Sequence, residues 1–341
     1  MARLQWPFSV LPSHTRALPF LQGVWLDPLG LSTGVYARSR EVTQTDVCGM
    51  VDAMHRLGMA VIIITYVEYD GWVFYPTRLE LSGGVQPRRQ MLPFDVVGTV
   101  LAQAERRGMH VMLGLGRGGD MELLWGGTED RARLRAGIGK SARVAGELWR
   151  LYGHHRSLYG WYLTHEANDL AAAAAYYDPV ADFCHALCPD KPVMVAPAGT
   201  PLADRDTLAR SHVDIFAYQD AVGAGYCPGV YTYDPERRLS ALDGVYGAYS
   251  RWHEGSGKHL WADLEVWEMA GPRYERAYPA SPTRVLRQIA LEAPHVEMLT
   301  AYEYSGFLEA PDSEVKLDDR RAVQLYVDYS TYVSQHGADI A

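Results

Sequence analysis

Eight short apolar runs, each followed by a stretch of helical pattern, constrain this chain more than any other feature. The runs occupy 22–27, 60–69, 110–116, 158–166, 192–199, 213–220, 259–268 and 297–306. Their lengths and their β-branched and aromatic content suit parallel strands buried on both faces. Helical patterns fall at 43–58, 95–108, 130–152, 169–188, 202–211, 235–254, 282–293 and 319–335. The first opens on a Thr/Asp cap signal, and Gly58 and Gly108 end the first two just before a strand. Strand then helix, eight times over, predicts an α/β fold, a single (β/α)8 TIM barrel spanning 1–341 with 1–20 as an N-terminal extension. A doubly wound open sheet needs no eighth unit.

Composition agrees with one large domain. The chain has 341 residues, 48% of them apolar, enough to bury a sizeable core. Its formal net charge of −9, with no basic stripe, argues against nucleic acid and anionic membranes as partners. The four cysteines are too few for a disulfide framework. The first 20 residues are broken by Pro7, Pro12 and Pro19, and no apolar run approaches a bilayer span. These features predict a cytoplasmic protein; they leave its oligomeric state open.

Long, Gly-, Pro-, Tyr- and Trp-rich segments follow strands two, three and six, at 66–94, 116–130 and 220–234. In such a barrel they belong to the C-terminal face, where active sites are built. The strand ends there present Asp27, Glu68, Asp70, Glu166, Asp220, Glu265, Glu268 and Glu303. An unpaired buried carboxylate is costly, so several converging on one face call for a chemical reason. Period-two alternation puts Tyr162, Thr164 and Glu166 on one face of strand four, with Leu163 and His165 on the other. It likewise groups Trp261, Asp263 and Glu265 on strand seven, which predicts that Glu265 points into the mouth.

Strands four and seven lie on opposite sides of an eight-stranded barrel. Two carboxyls facing each other across a substrate meet the requirement for glycoside hydrolysis, in which one donates a proton and the other attacks or activates water. Aromatics at or after strand ends, among them Trp25, Tyr66, Trp72, Tyr75, Trp125, Trp267, Tyr302 and Tyr304, offer flat faces for sugar rings; each could equally be core packing. Other chemistries find no footing. Gly114–Gly119 matches G-x-G-x-x-G only formally, after the third strand. No P-loop, H-E-x-x-H or nucleophile elbow occurs, and His154 and His155 precede strand four, away from the mouth. No metal and no cofactor are expected.

The segments GWYLTHEAND (160–169), FYPT (74–77), VMLGLG (111–116), VMVAPAG (193–199), DIFAYQDAVGAG (214–225) and LWADLEVWE (260–268) together resemble the domain-of-unknown-function family DUF4434. That family is grouped with glycoside-hydrolase-like TIM barrels, and the resemblance runs from about residue 20 to about 310. It implies a glycosidase-type barrel with carboxylates on strands four and seven. The layout is also similar to the large clan of retaining barrel glycosidases, which implies Glu166 as acid/base and Glu265 as nucleophile. In that clan the acid/base follows an Asn, where this chain has His165. The clan layout further implies Tyr218 touching the strand-seven Glu, with Gln219 and Asp220 binding hydroxyls or placing water.

The expectation is therefore a glycoside hydrolase acting on an oligosaccharide or small glycoside. The site would comprise Glu166 and Glu265 as the catalytic pair. Asp27, Tyr66, Glu68, Trp72, Trp125, His165, Asn168, Tyr218, Gln219, Asp220, Trp267, Tyr302 and Glu303 would bind the sugar. Two other classes stay open: a carbohydrate-binding barrel without turnover, and a lyase or isomerase on a sugar-like substrate.

Overall fold

A computed structural model describes residues 20–31, 38–80, 89–117, 124, 130–225, 233–271, 276–315 and 319–336. Eight strands close into a barrel in chain order, each parallel to its neighbours. They are β1 (Gly23–Leu26), β2 (Val61–Ile64), β3 (His110–Gly114), β4 (Leu158–Leu163), β5 (Val193–Val195), β6 (Ile215–Gln219), β7 (His259–Glu265) and β8 (Met298–Tyr302). The ring is completed by β8 against β1, with Gly23 opposite Thr300. Eight helices follow the strands: α1 (Gln44–Arg56), α2 (Val96–Arg107), α3 (Arg131–Tyr152), α4 (Leu170–Leu187), α5 (Arg205–Arg210), α6 (Pro235–His253), α7 (Pro282–Glu292) and α8 (Arg320–His336). The strand–helix cadence read from the sequence is the architecture observed.

Local signals set the helix ends. Thr43 and Asp46 form a reciprocal capping box at the start of α1. Asp95 caps α2, which stops at Gly108 in the left-handed conformation (φ 69°) that a glycine adopts without a Cβ clash.

Alternation along the strands sorts side chains into two layers. Trp25, Ile63, Met112, Tyr162, Met194 and Trp261 turn inward and fill the barrel. Val24, Ile62, Leu113, Leu163, Phe216 and Leu264 turn outward into the larger cluster that the helices cover. Each such fully buried side chain is worth about 1.5–3 kcal/mol relative to exposure, so the barrel floor is a packed solid rather than a channel. Trp25 belongs to that floor, its indole N–H donating to Thr300 Oγ1 at 3.0 Å.

Most apolar runs overshoot their strands. The run expected over 60–69 forms β2 only as far as Ile64; Glu68–Tyr69 then pairs antiparallel with Trp72–Val73, outside the barrel. The segment after β7 does the same, Trp267–Met269 pairing with Ala277–Pro279. Both small sheets sit beyond the C-terminal ends of the barrel strands; the first falls in the long segment expected at 66–94 and the second in none of the three, while 118–123, 125–129 and 226–232 of the other two lie outside the described residues.

Candidate active site

On the strand-four side, Tyr162 faces inward, and Glu166 follows four residues later with the same parity. Thr164, between them, donates to the Gly116 carbonyl at 3.3 Å, tying this strand end to that of β3. Just beyond β3, Arg117 is anchored by its backbone N–H to the Glu68 carbonyl at 2.8 Å. Its Nη1 lies 3.4 Å from Glu166 Oε1, with 12% and 25% of the two side chains exposed. The guanidinium charge also reaches Asp27 and the phenols of Tyr69, Tyr162 and Tyr302. Glu166 is thus a partly open carboxylate beside a cation.

The strand-seven side is its opposite. Glu265, 7% exposed, accepts the Ala224 N–H at its Oε2 (2.8 Å). A Cβ on Gly223 would strike the Trp267 carbonyl and come within 3.0 Å of that oxygen, so only glycine lets the backbone approach this closely. Burial pushes Glu265 up to about 8, with Asp220 adding to the rise; the Ala224 N–H, Arg284 and Arg238 oppose it. Two residues earlier on the same face, Asp263 is fully enclosed. Burial, then Asp220, Glu265 and Glu166, drive its carboxyl well above the ordinary range.

Two further carboxyl groups lie at the ends of β1 and β8. Asp27 receives the Tyr66 hydroxyl at 2.6 Å and the Leu29 N–H at 2.8 Å on Oδ1. Burial nonetheless raises it to about 6. Glu303 Oε2 accepts the Asp27 backbone N–H at 2.9 Å, and Tyr302 leans on the Trp25 ring with centroids 5.9 Å apart. Asp27, Tyr66, Tyr302 and Glu303 therefore lie together, over the same floor as Arg117. Gln219 lies opposite Asp263 in register, on the inward parity of Ala217.

Four expected site residues face elsewhere. His165 turns outward, edge-on to Tyr176 of α4 at 4.9 Å, and burial pulls its imidazole down to about 3. Tyr218 does not touch Glu265: it alternates outward with Phe216, stacks on Tyr249 at 4.1 Å and bonds His253 Nε2 at 3.1 Å. Asp220 is wholly buried behind β7, accepting from Gln288, from Val222 N at 3.0 Å and from Glu265 N at 3.3 Å. Its hydrogen-bond capacity is spent on protein, so it supports Glu265 rather than meeting hydroxyls. Glu68 is buried and paired with Lys140 at 2.7 Å, an ion pair that fixes the loop after β2.

The remaining expected residues sit at the rim. Trp72 is half-buried on its antiparallel pair with Tyr69, and Asn168 is exposed, its carbonyl accepting the Leu202 N–H at 2.6 Å. Trp267 is buried, its carbonyl receiving Arg284 Nη2 at 2.6 Å. Trp125 lies outside the described residues. Tyr75 and Tyr304 are core, so packing explains them.

Sequence reasoning passed over Arg117, which sits in a loop that reads as glycine-rich filler, and Arg284, which braces the end of β7 through the Glu265 and Trp267 carbonyls. Asp263 was on the right face, but its enclosure depends on neighbours from β1 and β8. Among the described residues no cluster of three or more His, Cys, Asp or Glu could hold a metal ion, and no helix is long and apolar enough to cross a membrane.

Comparison with other proteins extends the geometry. The model of one family, Domain of unknown function (DUF4434), matches residues 21–315. No curated protein matches the chain in sequence. Solved structures share the fold at low identity. A candidate alpha-L-fucosidase from Bacteroides thetaiotaomicron superposes with TM-score 0.68 at 18% identity, over 97% of this chain and 99% of that one. A glycoside hydrolase family 5 mannosidase from Rhizomucor miehei gives 0.59 at 12%, over 95% of each chain. An endo-1,4-beta-mannanase from the same organism gives 0.54 at 11%, over 93% of this chain and 95% of that one.

Proposed function

The chain belongs to the DUF4434 family, and on that premise we propose that it is a glycoside hydrolase acting on an oligosaccharide or small glycoside, with Glu166 and Glu265 as its catalytic pair. The observation that carries this reading is the contrast between two carboxyl groups on one barrel mouth. One sits beside a guanidinium and partly open, the other is enclosed and raised to about 8. One enclosed carboxyl group that holds its proton and one open carboxyl group beside a cation fit the two roles that oxocarbenium chemistry needs. The fold neighbours that act on mannosides support the same reading.

Asp27, Gln219, Tyr302 and Glu303 would meet the sugar hydroxyls, and Trp72 would stack on a ring at the rim. The clan layout gives Glu166 as acid/base and Glu265 as nucleophile, with retention of configuration. A second order, with the roles exchanged, is favoured by Arg117 and is developed below.

A screen of aryl glycosides tests the activity, followed by E166Q and E265Q. Each variant should lose about 10²–10⁴ in kcat while its circular dichroism and Tm at pH 5 stay close to wild type. Saccharide binding seen as a thermal shift without turnover would favour a binding barrel. Product lacking the label after reaction in H₂¹⁸O would favour a lyase or isomerase.

A further inference from the structure

We infer that Glu265, not Glu166, holds the transferable proton in the resting site, so that Glu265 is the general acid and Glu166 the attacking carboxylate. The inference rests on the glycosidase reading above and reverses the order that the clan layout implies. It stands on which groups reach each carboxyl.

Glu166 has the Arg117 guanidinium at 3.4 Å and a side chain 25% open to water. A guanidinium within charge-assisted contact and an open side are the setting an attacking carboxylate needs. Arg117 approaches from the end of β3, and Tyr162 from β4, Tyr177 from α4 and Asp263 from β7 are the titratable neighbours of Glu166. Burial and the Glu166 charge both hold the Tyr162 phenol in its neutral form.

Glu265 is faced from four elements, and among the described residues no cation hydrogen-bonds its carboxyl oxygens, although the Arg284 and Arg238 charges reach it. Asp220, from the end of β6, accepts the Glu265 backbone N–H, and Asp263 lies beneath it on β7. From α7, Arg284 spends its Nη2 on the Glu265 and Trp267 carbonyl oxygens at 2.9 and 2.6 Å. From α6, Arg238 spends Nε on the Asp220 carbonyl and Nη1 on Thr200 Oγ1 at 2.8 Å. Among the described residues, the one donor to the Glu265 carboxyl is the Ala224 N–H. Behind Asp220 lies another enclosed acid, Glu292, which burial and Asp220 drive well above the ordinary range. An anion at Glu265 would therefore be enclosed and face Asp220 with one amide hydrogen bond and two guanidiniums that do not touch it, whereas a proton there relieves both burial and repulsion.

The resulting step is balanced. The Glu265 O–H proton passes to the glycosidic oxygen as the C1–O bond breaks, its electron pair leaving with the alcohol. A Glu166 oxygen lone pair bonds to C1, giving a glycosyl ester. The Glu265 carboxylate then takes a proton from water, whose oxygen bonds to C1 as the ester C1–O bond breaks. Glu166 is released ionised and Glu265 protonated.

Two measurements test this. The first is substrate-free: infrared difference spectra at pH 7 between wild type and each Gln variant. We expect the protonated-carboxyl C=O band to be lost in E265Q and kept in E166Q. The second uses 2,4-dinitrophenyl and phenyl glycosides of the sugar found in the screen. With a leaving group that needs no proton, E265Q should keep its glycosylation rate within about 10-fold and fall by about 10²–10⁴-fold on the phenyl glycoside. E166Q should fall on both. A band lost in E166Q, or an E166Q variant active on the dinitrophenyl substrate with E265Q inactive on both, overturns the inference and leaves a glycosidase in the clan order. A wild type silent on every glycoside instead defeats the proposed activity, and the infrared result still decides where the proton sits.

Discussion

At the strand-four side of the mouth a partly open carboxyl group touches a guanidinium; at the strand-seven side an enclosed one touches an amide, with Asp220 and Asp263 beside it and the Arg284 and Arg238 guanidiniums bonded to other groups. Glu265 ends its strand on the inward parity, whereas Glu166 lies three residues past the end of β4, where its contact with Arg117 places it. What separates them is the second layer. Behind Glu166 the outward neighbour is His165, held neutral against Tyr176. Behind Glu265 lie Asp220, Gln288 and Glu292, a polar seam between the barrel and α7. A barrel can thus make two chemically different sites from one residue type by changing what sits outside the strand.

The largest effect that would break this comparison is removal of the cation. R117M leaves Glu166 in place but takes away its counter-charge and the hydrogen bond. If Glu166 must be ionised to attack, kcat/KM should fall by about 10–100-fold, an amount in keeping with one charge-assisted interaction. If Glu166 were the acid, its resting form would need no counter-charge, and the rate would stay level or rise. Steady-state kinetics on R117M separate these outcomes by sign.

A smaller effect sharpens the strand-seven half. Folding raises Glu265 from an unfolded value of 4.5 to about 8, so between those limits the folded chain binds more protons than the unfolded one. This contribution to stability is complete below pH 4.5 and is lost as pH rises through about 8. Each pH unit of tighter proton holding is worth about 1.4 kcal/mol. E265Q cannot ionise, so its Tm should gain on wild type by several degrees between about pH 5 and about pH 9. Glu292 slopes both proteins alike and cancels in the difference, whereas Asp263, which the Glu265 charge helps to raise, is raised less in E265Q and adds to the gain in the same direction. Parallel Tm curves would mean that Glu265 does not keep its proton.

The barrel was legible because its signals are local. Apolar runs, caps such as Thr43, and stops such as Gly108 each act within a few residues. Alternation carried correctly along β7 to Asp263 and Glu265, and it put His165 on the outward face. It should also have excluded Tyr218, which shares parity with Phe216. Beyond the strand ends parity stops and long-range partners decide. Asp220 takes its role from Gln288, 68 residues on, and Arg117 takes its role from Glu166, 49 residues on. No spacing rule in a single sequence shows those meetings.

Tyr218 gives the smallest effect and the cleanest limit on the site. Its hydroxyl lies 3.1 Å from His253 Nε2, and His253 Nδ1 lies 3.3 Å from the Lys258 carbonyl. A carbonyl can only accept, so Nδ1 carries the hydrogen and Tyr218 donates to Nε2. Burial pulls His253 down to about 4, so the ring stays neutral and this arrangement holds at neutral pH. Y218F removes one donor and leaves a buried acceptor unpaired, a loss of about 1–2 kcal/mol in denaturant unfolding. Because the hydroxyl points to α6 rather than to Glu265, kcat and KM should change less than about 2-fold, well under the energy of one hydrogen bond. A fall of an order of magnitude in kcat, with stability unchanged, would bring Tyr218 into the mouth and erase the distinction between inward and outward faces on which the strand-seven side depends.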